Sequence, residues 1–158
     1  YVSTTGNNNN SGTSYDDPFQ DISKALSHAA PGDDVHVASG LYTGSANVGL
    51  TLDGVNIVGS SGGHKLPTFD LAKDETGFFT TGTVSITSIA LASLGSNPTN
   101  LGATGVFCND GNITLSHVCF TALTNGITTS GAESTSLIGC KFLRSEYCIR
   151  GGGTGSNG

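Results

Sequence analysis

The sequence predicts an all-β solenoid, a parallel β-helix closed at its N-terminal end by one short α-helix. Three observations predict it. One stretch of helical periodicity, Asp17 to Pro31, opens a chain that otherwise reads as short strands and turns. Four later segments repeat a single spacing of inward-facing residues. The composition is rich in turn and strand formers, with 24 Gly among 158 residues and only 11% charged residues. Such a composition also suits disorder, but 35% of the residues are hydrophobic and fall in a regular pattern, which excludes disorder for the body of the chain.

The first element is the helix. Asp17 is placed to cap it, Pro18 suits its first position and Gln20 completes a capping box. Phe19, Ile22, Leu26 and Ala29 recur at helical spacing and make one apolar face. Pro31-Gly32 stops it, so the spacing predicts a helix of about 13 residues. Val35-His36-Val37 then alternates as a strand, and Gly40 turns the chain.

The repeats follow. Leu50, Leu52, Val55 and Ile57 are spaced two, three and two apart, as are Val84, Ile86, Ile89 and Leu91. Ile113, Leu115, Val118 and Phe120 repeat the pattern, and so do Thr135, Leu137, Cys140 and Phe142. A second row, Val106, Ile127 and Ile149, stands just after Gly105, Gly126 and Cys148. Alternate residues of a strand share a face, so each set reads as two short inward-facing strands joined at a corner. A single coil cannot bury its own face, so several must stack. The sets lie 34, 29 and 22 residues apart. The smallest offset reads as one compact coil, and the larger ones predict excursions within 58–82 and 92–111. A β-sandwich would also give short strands and turns, but the shared spacing favours the solenoid.

The opening block points the same way. "YVSTTGNNNNSGTSYDDPFQDISKALSHAAPGDDVHVASGLYTG", Tyr1 to Gly44, resembles the N-terminal cap of right-handed parallel β-helix proteins of the pectin-lyase-like superfamily. The resemblance implies a cap strand, a polar loop and a helix (1–44), then coils over 45–150 and a Gly-rich tail at 151–158, all in one domain. It implies no one activity, because lyases, hydrolases, adhesins and structural proteins share this fold. The helix then has a physical task. It covers the open edge of the first coil, which otherwise invites aggregation. No helix or apolar plug is readable after Ile149, so the C-terminal end is expected to be open. Either the chain continues and is trimmed here, the favoured expectation, or a second subunit or a further domain stacks on that end, and stacking that does not close gives filaments.

Charge and motifs narrow the function. The net charge of -6, with six Lys plus Arg, argues against nucleic acid and anionic membrane partners. No apolar run is long enough for a spanning helix. Asn9 and Asn112 begin glycosylation sequons. Cys108, Cys119, Cys140 and Cys148 allow disulfides, most simply Cys108–Cys119 and Cys140–Cys148, or buried free thiols. Even cysteine number, low lysine content and many hydroxyls lean towards an extracellular or cell-surface protein.

The outward position of each set carries a hydroxyl, Thr51, Ser85, Thr114 and Ser136. The row suits exposed strands; it also suits a sugar-contacting, O-glycosylated or ice-binding face, the last disfavoured by the irregular offsets. Lyases of this fold are implied to use carboxylate-held Ca²⁺ or a basic residue. Here Asp70, Asp74 and Glu75 lie with Lys73 in one loop, where Ca²⁺ is possible but a solvated loop is the better reading. The Asp-Asp and Gly-His-Gly motifs of the hydrolases are absent. His28, His36, His64 and His117 make no metal-ligand spacing, and "SGGHKL" and "RGGGTG" lack the setting of a phosphate loop. Lys141, Arg144 and Arg150, with Glu146 and Tyr147, are placed to touch an acidic sugar or are plain exposed charges. No catalytic residue and no metal site is assigned. The expectation is a non-enzymatic extracellular structural module, plausibly glycosylated. The alternative is a carbohydrate-binding or polysaccharide-degrading, lyase-like domain without recognisable active-site coils.

Overall fold

The computed structural model describes residues 1–60, 65–95 and 102–151. The chain winds through five coils, and each coil gives one strand to each of three parallel sheets. Sheet A holds β1 (Asp34–Val37), β4 (Asn56–Gly59), β7 (Thr83–Thr87), β10 (Gly111–Ser116) and β13 (Ala132–Ile138). Sheet B holds β2 (Leu41–Tyr42), β5 (Thr68–Asp70), β8 (Ala90–Ala92), β11 (Cys119–Thr121) and β14 (Lys141–Leu143). Sheet C holds β3 (Leu50–Asp53), β6 (Thr76–Thr81), β9 (Thr104–Cys108), β12 (Asn125–Thr129) and β15 (Tyr147–Gly151). This is a right-handed parallel β-helix, the hand that parallel crossovers take.

The core is three in-register columns. Sheet A stacks Val35, Ile57, Ile86, Leu115 and Leu137. Sheet B stacks Tyr42, Phe69, Leu91, Phe120 and Phe142. Sheet C stacks Leu50, Phe78, Val106, Ile127 and Ile149. The middle three members of every column are completely buried. Such stacking converts weak single-coil strands into one continuous core.

The register corrects the repeat alignment. Three of the four sets straddle the A-to-B corner, at Ser88, His117 and Gly139. The set Leu50, Leu52, Val55 and Ile57 straddles the C-to-A corner, at Gly54. Each corner is turned by one residue at positive φ, 66° at Gly54 and 55–61° at the other three, which leaves the same three-residue step in both places. The true coils advance from Val35 to Ile57, Ile86, Leu115 and Leu137, that is by 22, 29, 29 and 22 residues. The stretches read as excursions carry wall strands: β5 and β6 lie within 58–82, and β9 lies within 92–111. At the third C-to-A corner glycine is obligatory twice over. Gly111 has φ +82°, and a Cβ there would fall on the Gly82 carbonyl oxygen.

The cap differs from expectation in detail. The helix, α1, is only Ile22–Leu26, and Asp21 rather than Asp17 precedes it, without a side-chain cap bond. Extended pairing wins over helix at Phe19: its N–H donates to Tyr1 O at 2.9 Å, and its carbonyl accepts from Ser3 N at 2.9 Å. The helix's free N–H groups are satisfied from outside. Asn8 Oδ1 accepts from Asp21 N at 3.1 Å, and Asn47 Oδ1 accepts from Ile22 N at 3.0 Å. The covering role stands, since Val2, Phe19, Ile22 and Ala25 are buried against the first coil. At the other end β13, β14 and β15 are the outermost strands of their sheets. There Ile138, Leu143, Tyr147 and Ile149 are each about half exposed.

Candidate functional site

Chemistry on a β-helix is carried by what its walls present outward. On sheet A, Ser85, Thr114 and Ser136 stand in register, as the hydroxyl row requires. Thr51 does not belong to it. It lies on sheet C beside Phe79, because its set was assigned to the wrong corner. Asn56 takes its place in the row: its Oδ1 accepts from Ser85 N at 2.8 Å, and its Nδ2 donates to Asp34 Oδ1 at 2.9 Å. Asn112 lies beside this row within β10. Its Oδ1 accepts from Ser134 Oγ at 2.6 Å, and its Nδ2 donates to Glu133 Oε2 at 3.4 Å. Asn9, by contrast, is an exposed loop residue. The outer face of sheet A is thus a ladder of polar side chains, tied between coils at Asn56 and Asn112.

Sheet C presents a different face. Its outward column is Thr51, Phe79, Phe107, Thr128 and Arg150. The Phe79 and Phe107 rings lie 5.9 Å apart, and Phe79 is 37% exposed. Asp53 Oδ1 accepts from Thr81 Oγ1 at 3.0 Å beside them, and Arg150 lies 5.7 Å over the Tyr147 ring. Sequence reasoning missed this pair because β6 and β9 fell inside supposed excursions. A signal was present: Gly77-Phe78-Phe79 repeats the Gly-plus-apolar start of Gly105-Val106-Phe107 and Gly126-Ile127-Thr128.

The acidic residues are turned to backbone donors. Asp70 Oδ1 accepts from Leu94 N at 2.8 Å, and Glu75 Oε2 accepts from Ala72 N at 2.7 Å. Among the described residues no three His, Cys, Asp or Glu side chains come together as a metal-ligand set. Asp17 accepts from both Ser11 Oγ (2.6 Å) and Ser11 N (2.9 Å), which holds its carboxyl below the usual range. Burial pushes the Tyr42 phenol up to about 12, against a smaller opposing bond with the backbone of Thr4.

His117 occupies a corner, as expected, at φ 55°, and its Nδ1 shares a 2.9 Å hydrogen bond with Ser116 Oγ. His28 follows α1, with Nδ1 3.0 Å from Lys24 O. His36 stacks on Tyr1 at 5.0 Å. His64, within "SGGHKL", and the tail after Gly151 lie outside the described residues. The four cysteines are free thiols. Cys108 is buried on the inner face of sheet C, whereas Cys119 lies on the outer face of sheet B beside Ala90. A wall separates them, which rules out the simplest within-coil pairing. Cys140 packs against the core and donates to Leu115 O at 3.3 Å, while Cys148 is exposed.

Comparison with known proteins now adds to the geometry. Residues 4–114 match the family model described as "Protein of unknown function (DUF1565)". The chain belongs to this DUF1565 family. The matched span holds the cap and the coils up to β10. Among solved structures the DUF1565 chain is similar to a rhamnogalacturonan lyase, with 14% identity and a TM-score of 0.50. The match covers all of this chain and 63% of the lyase chain. At that identity the likeness is one of fold, the pectin-lyase-like β-helix. No curated protein matches the chain.

Proposed function

We propose that this DUF1565 chain is a non-enzymatic extracellular structural module that stacks through its last described coil onto a further layer of β-structure. The observation that carries this reading is the asymmetry of the two ends. Among the described residues one end is covered by Val2, Phe19 and α1, while the other leaves Ile138, Leu143, Tyr147 and Ile149 half exposed along three edge strands. Open strand edges flanked by apolar side chains are templates for pairing. The exposed Asn9 loop is the sequon placed to carry a glycan. Light scattering and electron microscopy of wild type and Ile149→Asp test the reading. Larger species that Ile149→Asp reduces, at unchanged melting temperature, support it. A wild type that stays monomeric and featureless at high concentration refutes it.

A second reading, carbohydrate binding, is favoured by the Phe79–Phe107 pair. Aromatic faces with Asp53 and Thr81 beside them, and Arg150 two coils beyond Phe107 in the same outward column, suit a sugar chain, whose C–H faces stack and whose hydroxyls need polar partners. The structural relative, a rhamnogalacturonan lyase, is named for the same class of ligand. Affinity electrophoresis in soluble pectic polysaccharides, comparing wild type with Phe79→Ala, tests it. Retardation that the variant loses supports the reading, and equal mobility refutes it.

A further inference from the structure

Sheet B carries a feature that neither reading uses. Its inward column is bulky, with Tyr42, Phe69, Leu91, Phe120 and Phe142. Its outward column is Leu41, Thr68, Ala90, Cys119 and Lys141, in register across all five coils. The three central side chains are small, so the wall sinks between them. Leu41, Leu66 and Leu94 rise around this floor, and Leu41 and Leu94 are each more than half exposed. The result is an open groove of about 610 Å³, lined mainly by apolar atoms. That volume falls within the range of small-molecule sites.

The charges beside the groove favour one sign. Lys65 lines it, and Lys141 follows Cys119 in the outward column, so two of the chain's six basic residues flank the floor. Among the described residues no acidic side chain lines it. Asp70, two residues after Thr68 in β5, is turned to the Leu94 N–H and lines a neighbouring depression. In a chain with a net charge of -6 this is a local reversal. A polysaccharide would need free polar partners along the floor; Ala90 and the leucines offer none, and the Thr68 hydroxyl already donates to Leu66 O at 3.2 Å.

We propose that this groove binds a small anionic amphiphile. Its apolar body lies over Thr68, Ala90 and Cys119, and its acidic head is held by Lys65.

Cys119 gives a direct readout, because a ligand in the groove covers its thiol. Exposed Cys148, on sheet C, is the internal control. Wild type is labelled with uncharged N-ethylmaleimide, with and without n-octanoate, and the rate at each cysteine is read by peptide mass mapping. The expected result is slowing at Cys119 alone, by about tenfold at about 90% occupancy. 1-Octanol at the same concentration should protect less. Lys65→Glu and the groove-filling Ala90→Leu should each abolish protection by octanoate while circular dichroism stays unchanged. Unaltered labelling of Cys119 in wild type overturns the proposal. So does equal protection by octanol, equal protection of Cys148, or full protection in Lys65→Glu.

Discussion

Phe120→Ala is the sharpest test of the core. Phe120 is completely buried in the sheet B column, with Leu91 one coil before it and Phe142 one coil after. Its ring is stacked on Phe142 at 4.8 Å with 5° between planes. Truncating a buried Phe costs about 3–5 kcal/mol through lost transfer energy and the cavity left behind. Phe142 belongs to the last described coil and is only partly buried. Its truncation leaves no closed cavity, so about 1–2 kcal/mol is expected from partial loss of transfer energy. The two share one ring pair, worth about 0.5–1.5 kcal/mol beyond area burial. The double variant should therefore cost less than the sum of the singles by that amount. Urea denaturation followed by circular dichroism measures all three. With a slope of about 2 kcal/mol/M, Phe120→Ala should lower the midpoint by about 2 M. If Phe120→Ala costs no more than Phe142→Ala, or the two are strictly additive, the stacked column is not the unit of stability.

Three further outcomes follow from the same geometry. Val118→Asp places a carboxylate at a completely buried corner and should unfold the domain, whereas Thr114→Asp, on the outer face of sheet A, should change stability by less than about 1 kcal/mol in thermal melts; the reverse order would mean the wall faces are swapped. Gly105→Ala drives a Cβ to 2.5 Å from the Gly126 carbonyl oxygen and 2.7 Å from the Phe120 ring, so it should cost about 1–3 kcal/mol more than Gly151→Ala, whose Cβ comes no nearer than 4.0 Å to the Thr129 hydroxyl. Asp17 has a lowered folded pKa, so its contribution is present above the ordinary carboxylate range and disappears as pH falls through the folded value; Asp17→Asn should melt lower than wild type at pH 7, and the gap should close on acidification, with a pH-independent gap counting against the Ser11–Asp17 bonds as its source.

The fold was legible because two signals are local. Apolar residues alternate in short strands, and the last three A-to-B corners keep one residue count. The phase of the first set was not legible, because a single residue at positive φ turns both kinds of corner. Gly54 and Ser88 are therefore indistinguishable by spacing alone. The aromatic column was half hidden for a related reason: Tyr42 and Phe69 precede loops of unequal length, so no fixed period links them to Phe120. The cap helix was overestimated because Asp17-Pro18-Phe19-Gln20 satisfies every helix-start rule. What overrules those rules is pairing with Val2, a partner 17 residues earlier that no local pattern announces. The outward surfaces were least legible. A groove on sheet B arises from Thr68, Ala90 and Cys119 being small at one register position, and that register exists only once the coils are stacked.

The start of each sheet C strand constrains what seats on the last coil. Gly77, Gly105 and Gly126 occupy equivalent places there, and Cys148 takes the same place in β15. A Cβ on Gly105 would meet the Gly126 carbonyl oxygen and the Phe120 ring, and one on Gly126 would meet the Cys148 carbonyl oxygen and the Phe142 ring. Each glycine thus makes room for the backbone and the sheet B side chain of the next coil, so the aromatic column depends on the glycine column. Cys148 carries a Cβ where that room is needed. A layer stacked in the same register would bring its carbonyl oxygen to about the 2.5–2.7 Å seen for Gly105 and Gly126, closer than real Cβ contacts allow. Whatever β-structure seats on this end must depart from the register at the B-to-C corner while remaining free to pair along sheet A. There β13 offers the longest edge, seven residues. The stacking proposed for this end is therefore anchored on sheet A, and the corner at Cys148 is where it gives way.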